Sequence, residues 1–228
     1  MIWRHISIAL VACVSCSTIA NAQVTGSRTA PKPAEIPDSA KAAVQQARQT
    51  TLQFVACTMQ RDRLGVLNFL ATFPGSPEAR KMIPSLMRDD CLSVGEMKFY
   101  ESLYRWDAYD LLYRQSFGRS GPVDFSAASP FASPIDLDKA TAEARETVAL
   151  AEMGDCVVRK SPAEARQLAL SPVTTEAEVT AFNALMPSIS ACVPQNSTLT
   201  FSKNVLRGIV VQALYTLSSG QSGTVAKP

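Results

Sequence analysis

Four cysteines and two arginines have the types and spacing that could carry chemistry in this chain. Cys57, Cys91, Cys156 and Cys192 are separated by 34, 65 and 36 residues. With no C-x-x-C pair among them, this pattern argues against a four-cysteine metal centre and for disulfides made in an oxidising compartment. Arg105 and Arg207 occupy matching places in two largely apolar helical stretches. A guanidinium buried there must find a carboxylate, a carbonyl or an external anion. Glu101 stands four residues before Arg105, with Asp107 and Asp110 close by, so the first arginine has partners on its own helix. Residues 179–228 contain Lys203, Arg207 and Lys227 and no acid at all. Arg207 must therefore reach Glu176, Glu178, an acid of the preceding half, helix-end carbonyls or a ligand.

What is missing narrows the chemistry further. The only histidine, His5, lies in MIWRHISIALVACVSCSTIANAQ, whose short basic start, apolar stretch and small-residue ending read as a secretory signal peptide over residues 1–22. Lipid attachment through Cys13 is the rival reading of the same segment. Cleavage after Ala22 leaves a mature chain without histidine, which removes Ser-His and Cys-His nucleophilic systems and every His-dependent metal site. Carboxylate, Lys, Tyr and Ser-Lys chemistry remains, but no S-x-x-K motif is present. The acidic cluster of Asp89, Asp90, Glu96 and Glu101 lacks the alternating ligands and glycine of a calcium loop. No metal and no cofactor is expected.

Self-comparison supplies the frame that must position these residues. Residues 70–79 match residues 168–177 at five of ten positions, an offset of 98. The cysteines repeat at offsets of 99 and 101, and Phe99, Arg105, Leu112 and Tyr113 recur 102 residues later as Phe201, Arg207, Leu214 and Tyr215. Such slow drift describes one duplicated unit with small insertions. It selects, from three pairings, Cys57 with Cys91 and Cys156 with Cys192.

Each unit reads as about four helices, and strand signals are almost absent. A long amphipathic helix is expected over residues 39–63 and another over 137–159. Ser76-Pro77-Glu78, Ser161-Pro162-Ala163-Glu164 and Thr175-Glu176-Ala177-Glu178 look like fresh helix starts. The fourth helix of the first unit crowds seven of the chain's sixteen aromatics into residues 99–117. Tyr100, Tyr104 and Leu111 share one side of it, and Trp106, Tyr109, Tyr113 and Phe117 the other. A helix apolar on two sides is central, and each such helix is expected to be covered by its own unit. The organisation expected is thus all-α, with a tail at 23–38, units at 39–117 and 137–217, a Pro/Gly/Ser connector at 118–136 and a second tail at 218–228.

A net charge of +2, with Lys and Arg scattered, gives no nucleic-acid footprint, and no apolar stretch of the mature chain suits a membrane span. The expected function is an exported, non-catalytic binding, adaptor or structural protein of the bacterial envelope, periplasmic or secreted, acting on a protein, peptide or glycan. An envelope enzyme using Asp, Glu, Tyr or Lys chemistry is the alternative. Tyr100, Tyr104, Arg105 and Arg207 are the candidate ligand contacts.

Overall fold

A computed structural model describes residues 38–92, 100–193 and 201–221, so the expected signal peptide, Cys13, Glu96 and most of both tails lie outside the described residues. Those residues form eight α-helices and one short 3-10 turn, with no strand among them: α1 Asp38–Arg61, α2 Arg63–Ala71, α3 Pro77–Leu86, the turn Asp89–Cys91, α4 Glu101–Phe117, α5 Ala142–Lys160, α6 Pro162–Leu170, α7 Glu176–Cys192 and α8 Lys203–Gln221.

Local chemistry accounts for the boundaries. The long first helix stops at Arg61 because the Asp62 carboxylate accepts the Gly65 N–H at 2.8 Å and starts a new helix. Ser76 and Thr175 cap α3 and α7, accepting from the N–H groups of Ala79 and Glu178. The expected capping box at Ser161 does not form: its Oγ lies 2.6 Å from Ser188 Oγ instead, tying α7 to the start of α6. The second long helix begins at Ala142 and not near Leu137, since Thr141 caps it and Arg145 donates to the carbonyls of Leu137 and Ala140. α8 runs to Gln221, four residues into the expected tail, with Ser218 buried and Gln221 donating to the Asp124 carbonyl of the connector.

Both expected disulfides are present, Cys57–Cys91 and Cys156–Cys192, with Cα separations of 5.6 and 5.9 Å. The first ties α1 to the 3-10 turn and the second ties α5 to the end of α7. Helices α6 and α7 start 99 residues after α2 and α3, and α8 starts 102 after α4. Hence the helix starts run at 99 through the stretch whose residues match best at 98.

Two apolar cores result. Phe54, Val55, Val66, Phe69 and Leu86 build one around α1–α3; Val157, Leu168, Leu185 and Leu214 anchor the other around α5–α8. α4 belongs to both. Tyr104, Ala108 and Leu112 enter the first core, while Tyr113 and Phe117 enter the second, with Trp106 and Tyr109 packed against it. The expectation that each central helix is covered by its own unit is therefore corrected for α4, whose most extensive contact is with α8. At that crossing Gly208 faces the Trp106 indole so closely that any Cβ there would collide with it, which is why the position tolerates only glycine.

Candidate functional site

Four arginines, Arg105, Arg114, Arg166 and Arg207, close helix ends. An α-helix leaves its last carbonyls without partners, and few of these helices end in a glycine cap. Arg105, 3% exposed, donates to the carbonyls of Leu70 and Thr72 and to Thr72 Oγ1 at 3.4, 3.1 and 2.8 Å, and pairs with Glu101 at 2.8 Å. Its guanidinium carbon also sits 4.1 Å from the centre of the Phe69 ring. Arg114 holds the carbonyls of Leu170 and Ser171 at the end of α6, and Arg166 does the same in reverse for Phe117 and Gly118 at the end of α4. Arg159 holds three connector carbonyls.

Arg207 is as enclosed as Arg105, at 4% exposure. Its Nε and one terminal nitrogen bond Asp110 Oδ2 at 3.1 and 2.9 Å, its other terminal nitrogen bonds Glu178 Oε1 at 3.0 Å, and the Ala169 and Ser171 carbonyls and Ser171 Oγ take the remaining donors. Glu178 lies at a junction: Arg48 of α1 grips both its oxygens at 2.9 and 2.8 Å, and the Thr174 N–H donates to it at 2.9 Å. Burial alone would push the Glu178 carboxyl up, but these hydrogen bonds and the two guanidinium charges outweigh it and hold it below the usual range. Thr174 sits at φ 66°, a strained conformation for a β-branched residue. Gln49 of α1 donates to its hydroxyl at 3.1 Å.

Beside this network a cleft of about 170 Å³ opens between α1, α4 and α8. Its lining comes from Val44, Ala47 and Arg48 of α1, from Leu103, Trp106, Asp107 and Asp110 of α4, and from Asn204, Arg207, Gly208 and Val211 of α8. Asp107 differs from every other acid here. It is half-buried, yet no hydrogen bond or ion pair reaches its carboxylate among the described residues. Burial and the neighbouring Asp110 charge push its carboxyl up to about 7, against the pull of Arg48 and Arg207. A second hollow of about 210 Å³ between the connector, α5 and α8 is lined mainly by apolar residues such as Phe73, Phe131 and Val148, and its one acid, Asp155, is bound by Arg159 at 2.6 Å.

The expected contact residues are scattered by this arrangement. Arg207 borders the cleft with its donors committed, whereas Arg105 sits at the α2–α3 turn with different partners. Tyr104 is buried in the first core at 1% exposure, so neither it nor Arg105 presents a surface to a partner; Tyr100 alone of the four is exposed, at the start of α4. Arg48 was not among the residues expected here, and Asp107 was expected only as a partner for Arg105, which pairs with Glu101 instead. For Asp107 a signal existed: its neighbours three and four residues away on α4 are Tyr104, Asp110, Leu103 and Leu111, none of them a cation. For Arg48 there was none, since its partner lies 130 residues away. Compared with known proteins, the chain matches no family model, no curated protein and no solved structure.

Proposed function

We propose that this chain is an exported binding protein of the bacterial envelope, built from a duplicated four-helix unit, that takes a small ligand in the cleft between α1, α4 and α8. The observation that carries the reading is Asp107, a half-buried carboxylate with no hydrogen bond or ion pair of its own among the described residues, lining a cleft of mixed apolar and polar surface while the neighbouring Asp110 and Glu178 are already held by arginine. A carboxylate shielded from part of its water and without a protein partner is less stable than a solvated one, and a ligand donor relieves that cost. The cleft is smaller than the ~300 Å³ at which drug-sized sites begin, which suits a small molecule better than the glycan or protein partner that composition alone left open.

Export draws support from the two disulfides, and no described helix is long and apolar enough to cross a membrane. Duplication draws support from matched helix starts, from the positive φ shared by Gly75 and Thr174, and from Arg105 and Arg207 closing equivalent helix ends. Binding is favoured over paired-carboxylate catalysis because Asp110 and Glu178 are occupied by guanidinium groups, leaving Asp107 single. One observation favours an enzyme: a carboxyl near 7 is suited to general acid or base work.

Native mass spectrometry of the oxidised protein, after exposure to the small-molecule fraction of an envelope extract, tests the reading. It expects a retained molecule that shifts the Trp106 indole resonance and is released unchanged. Release of a converted molecule would establish the enzyme reading; retention unaffected by Asp107→Asn would remove the cleft from the account.

A further inference from the structure

The walls of the cleft carry opposite charges that do not meet. Arg48 on α1 and Asp107 on α4 line the same space, and each lies near enough to influence the other, yet they form no ion pair among the described residues. Arg48 uses one N–H on each terminal nitrogen to hold Glu178, so of its five donors the Nε–H and one more on each terminal nitrogen have no other bond among the described residues. Asp107 offers acceptors and no donor when ionised. A gap bounded by spare donors on one side and spare acceptors on the other matches a dipolar guest.

Charge balance points the same way. Among the residues that line the cleft two cations, Arg48 and Arg207, stand against two acids, Asp107 and Asp110; behind them Arg114 and Glu178 add one charge of each sign. A guest with net charge would leave an uncompensated ion in a poorly solvated place, whereas one carrying both signs leaves the balance at zero. Val44, Leu103, Trp106 and Val211 line the rest of the space with apolar surface. Resting on the reading of this cleft as a ligand site, we propose that its ligand is a small zwitterion with an apolar side chain, the chemistry of a neutral α-amino acid, with its ammonium on Asp107 and its carboxylate on Arg48.

Recognition of this kind is sensitive to protonation of Asp107. The charged groups facing it are Asp110 on its own helix, Arg48 on α1 and Arg207 on α8, with Glu178 of α7 behind both arginines. Glu178 is held below the usual carboxylate range, so affinity for an ammonium follows Asp107 and declines as pH falls below about 7.

Three probes of one shape separate the possibilities: L-leucine, its amide (a cation without the carboxylate) and 4-methylpentanoate (an anion without the amine). Each is titrated into the oxidised protein by calorimetry, with the Trp106 indole resonance as the reporter of place. Leucine should bind at least tenfold more tightly than either partial probe. Asp107→Asn should weaken leucine tenfold or more, leave 4-methylpentanoate no weaker and keep the unfolding transition cooperative. Leucinamide or 4-methylpentanoate binding at the cleft as tightly as leucine would overturn the zwitterion assignment while leaving the cleft a ligand site. Failure of all three probes to move Trp106 would overturn both, and an unchanged leucine affinity in the Asp107→Asn protein would overturn the ammonium contact.

Discussion

Arg105 and Arg207 solve one problem with different residues. Each reaches from the fourth helix of its half to the end of the second, donating to the carbonyls of Leu70 and Thr72 in one case and of Ala169 and Ser171 in the other, with a hydroxyl acceptor from Thr72 or Ser171. Each also needs an acid that accepts the N–H of a turn residue with positive φ, Gly75 or Thr174. In the first half that acid is Glu101, one turn before Arg105; the equivalent place in α8 is Lys203. In the second half it is Glu178, on α7, where α3 has Ala79. The two arrangements are alike in geometry while the acid stands on a different helix in each, and Asp110 of α4 completes the second site from outside α5–α8. The first half is thus self-sufficient at its arginine; the second is held from across the seam. One consequence is that α4 commits Asp110 to Arg114 and Arg207 and leaves Asp107, three residues before it, with no ion pair of its own among the described residues.

The largest test of this contrast is removal of each guanidinium. Arg207→Met takes one of two guanidinium partners from each of two carboxylates that are only 3–4% exposed, leaving Arg48 on Glu178 and Arg114 on Asp110, and should cost about 3 kcal/mol in urea unfolding. Arg105→Met leaves Glu101, whose side chain is 19% exposed and open to water, and should cost about 1–2 kcal/mol. Equal costs would break the distinction between a local and a shared ion site.

The disulfides, by contrast, should behave alike. Their separations of 34 and 36 residues restrict the unfolded chain almost equally, roughly 4 kcal/mol each in the loop-entropy picture. Replacing either pair by alanines should lower the thermal midpoint by the same amount; a marked inequality would show that one half is held chiefly by something else.

The two acids at the seam should give pH dependences of opposite sign. Asp107 is raised from 3.8 to about 7, so between those values the folded protein keeps a proton that the unfolded chain has released, and stability falls as pH rises. Glu178 is lowered, so its contribution is complete above its ordinary 4.5 and is lost as pH falls further. Asp107→Asn should therefore stabilise the protein at pH 8, by about 2 kcal/mol once partial solvation is allowed for, and change little at pH 4. A uniform shift at both pH values would mean that the substitution acts through packing.

Smallest is the exchange of turn residues. Thr174→Gly should stabilise by about 1 kcal/mol through relief of positive φ, and Gly75→Thr should destabilise by a similar amount, both read from the thermal midpoint. A destabilised Thr174→Gly protein would show that the Gln49 bond to the threonine hydroxyl outweighs the strain.

What was legible in the sequence follows from range. Caps at Ser76 and Thr175, the two-sided apolar pattern of α4 and the disulfide frame all depend on residues close in sequence or repeated in register, and the structure has them. Glu178 and an acid of the first half were both on the short roll of partners for Arg207, because a stretch without acids forces a buried cation to look elsewhere. Ser161 failed as a cap because a hydroxyl 27 residues away competed for it. The cleft was invisible for the same reason: its walls come from α1, α4 and α8, and the α1 wall is held by Arg48 bonded across most of the chain. Aromatic crowding singles out Tyr104 and Arg105, which lie in the first core and at the end of α2, whereas nothing of that kind marks Asp107, which lines the cleft.

The most direct measurement is the titration of the Asp107 side-chain carboxyl itself, followed by carbon NMR in the oxidised protein with Asp107→Asn used to assign the signal. A midpoint near 7, well apart from those of the exposed aspartates, is the result required of a desolvated carboxylate that the fold leaves unneutralised in the cleft. A midpoint near the ordinary 3.8 would mean that water or a cation already serves it, and the binding site built on Asp107 would be contradicted.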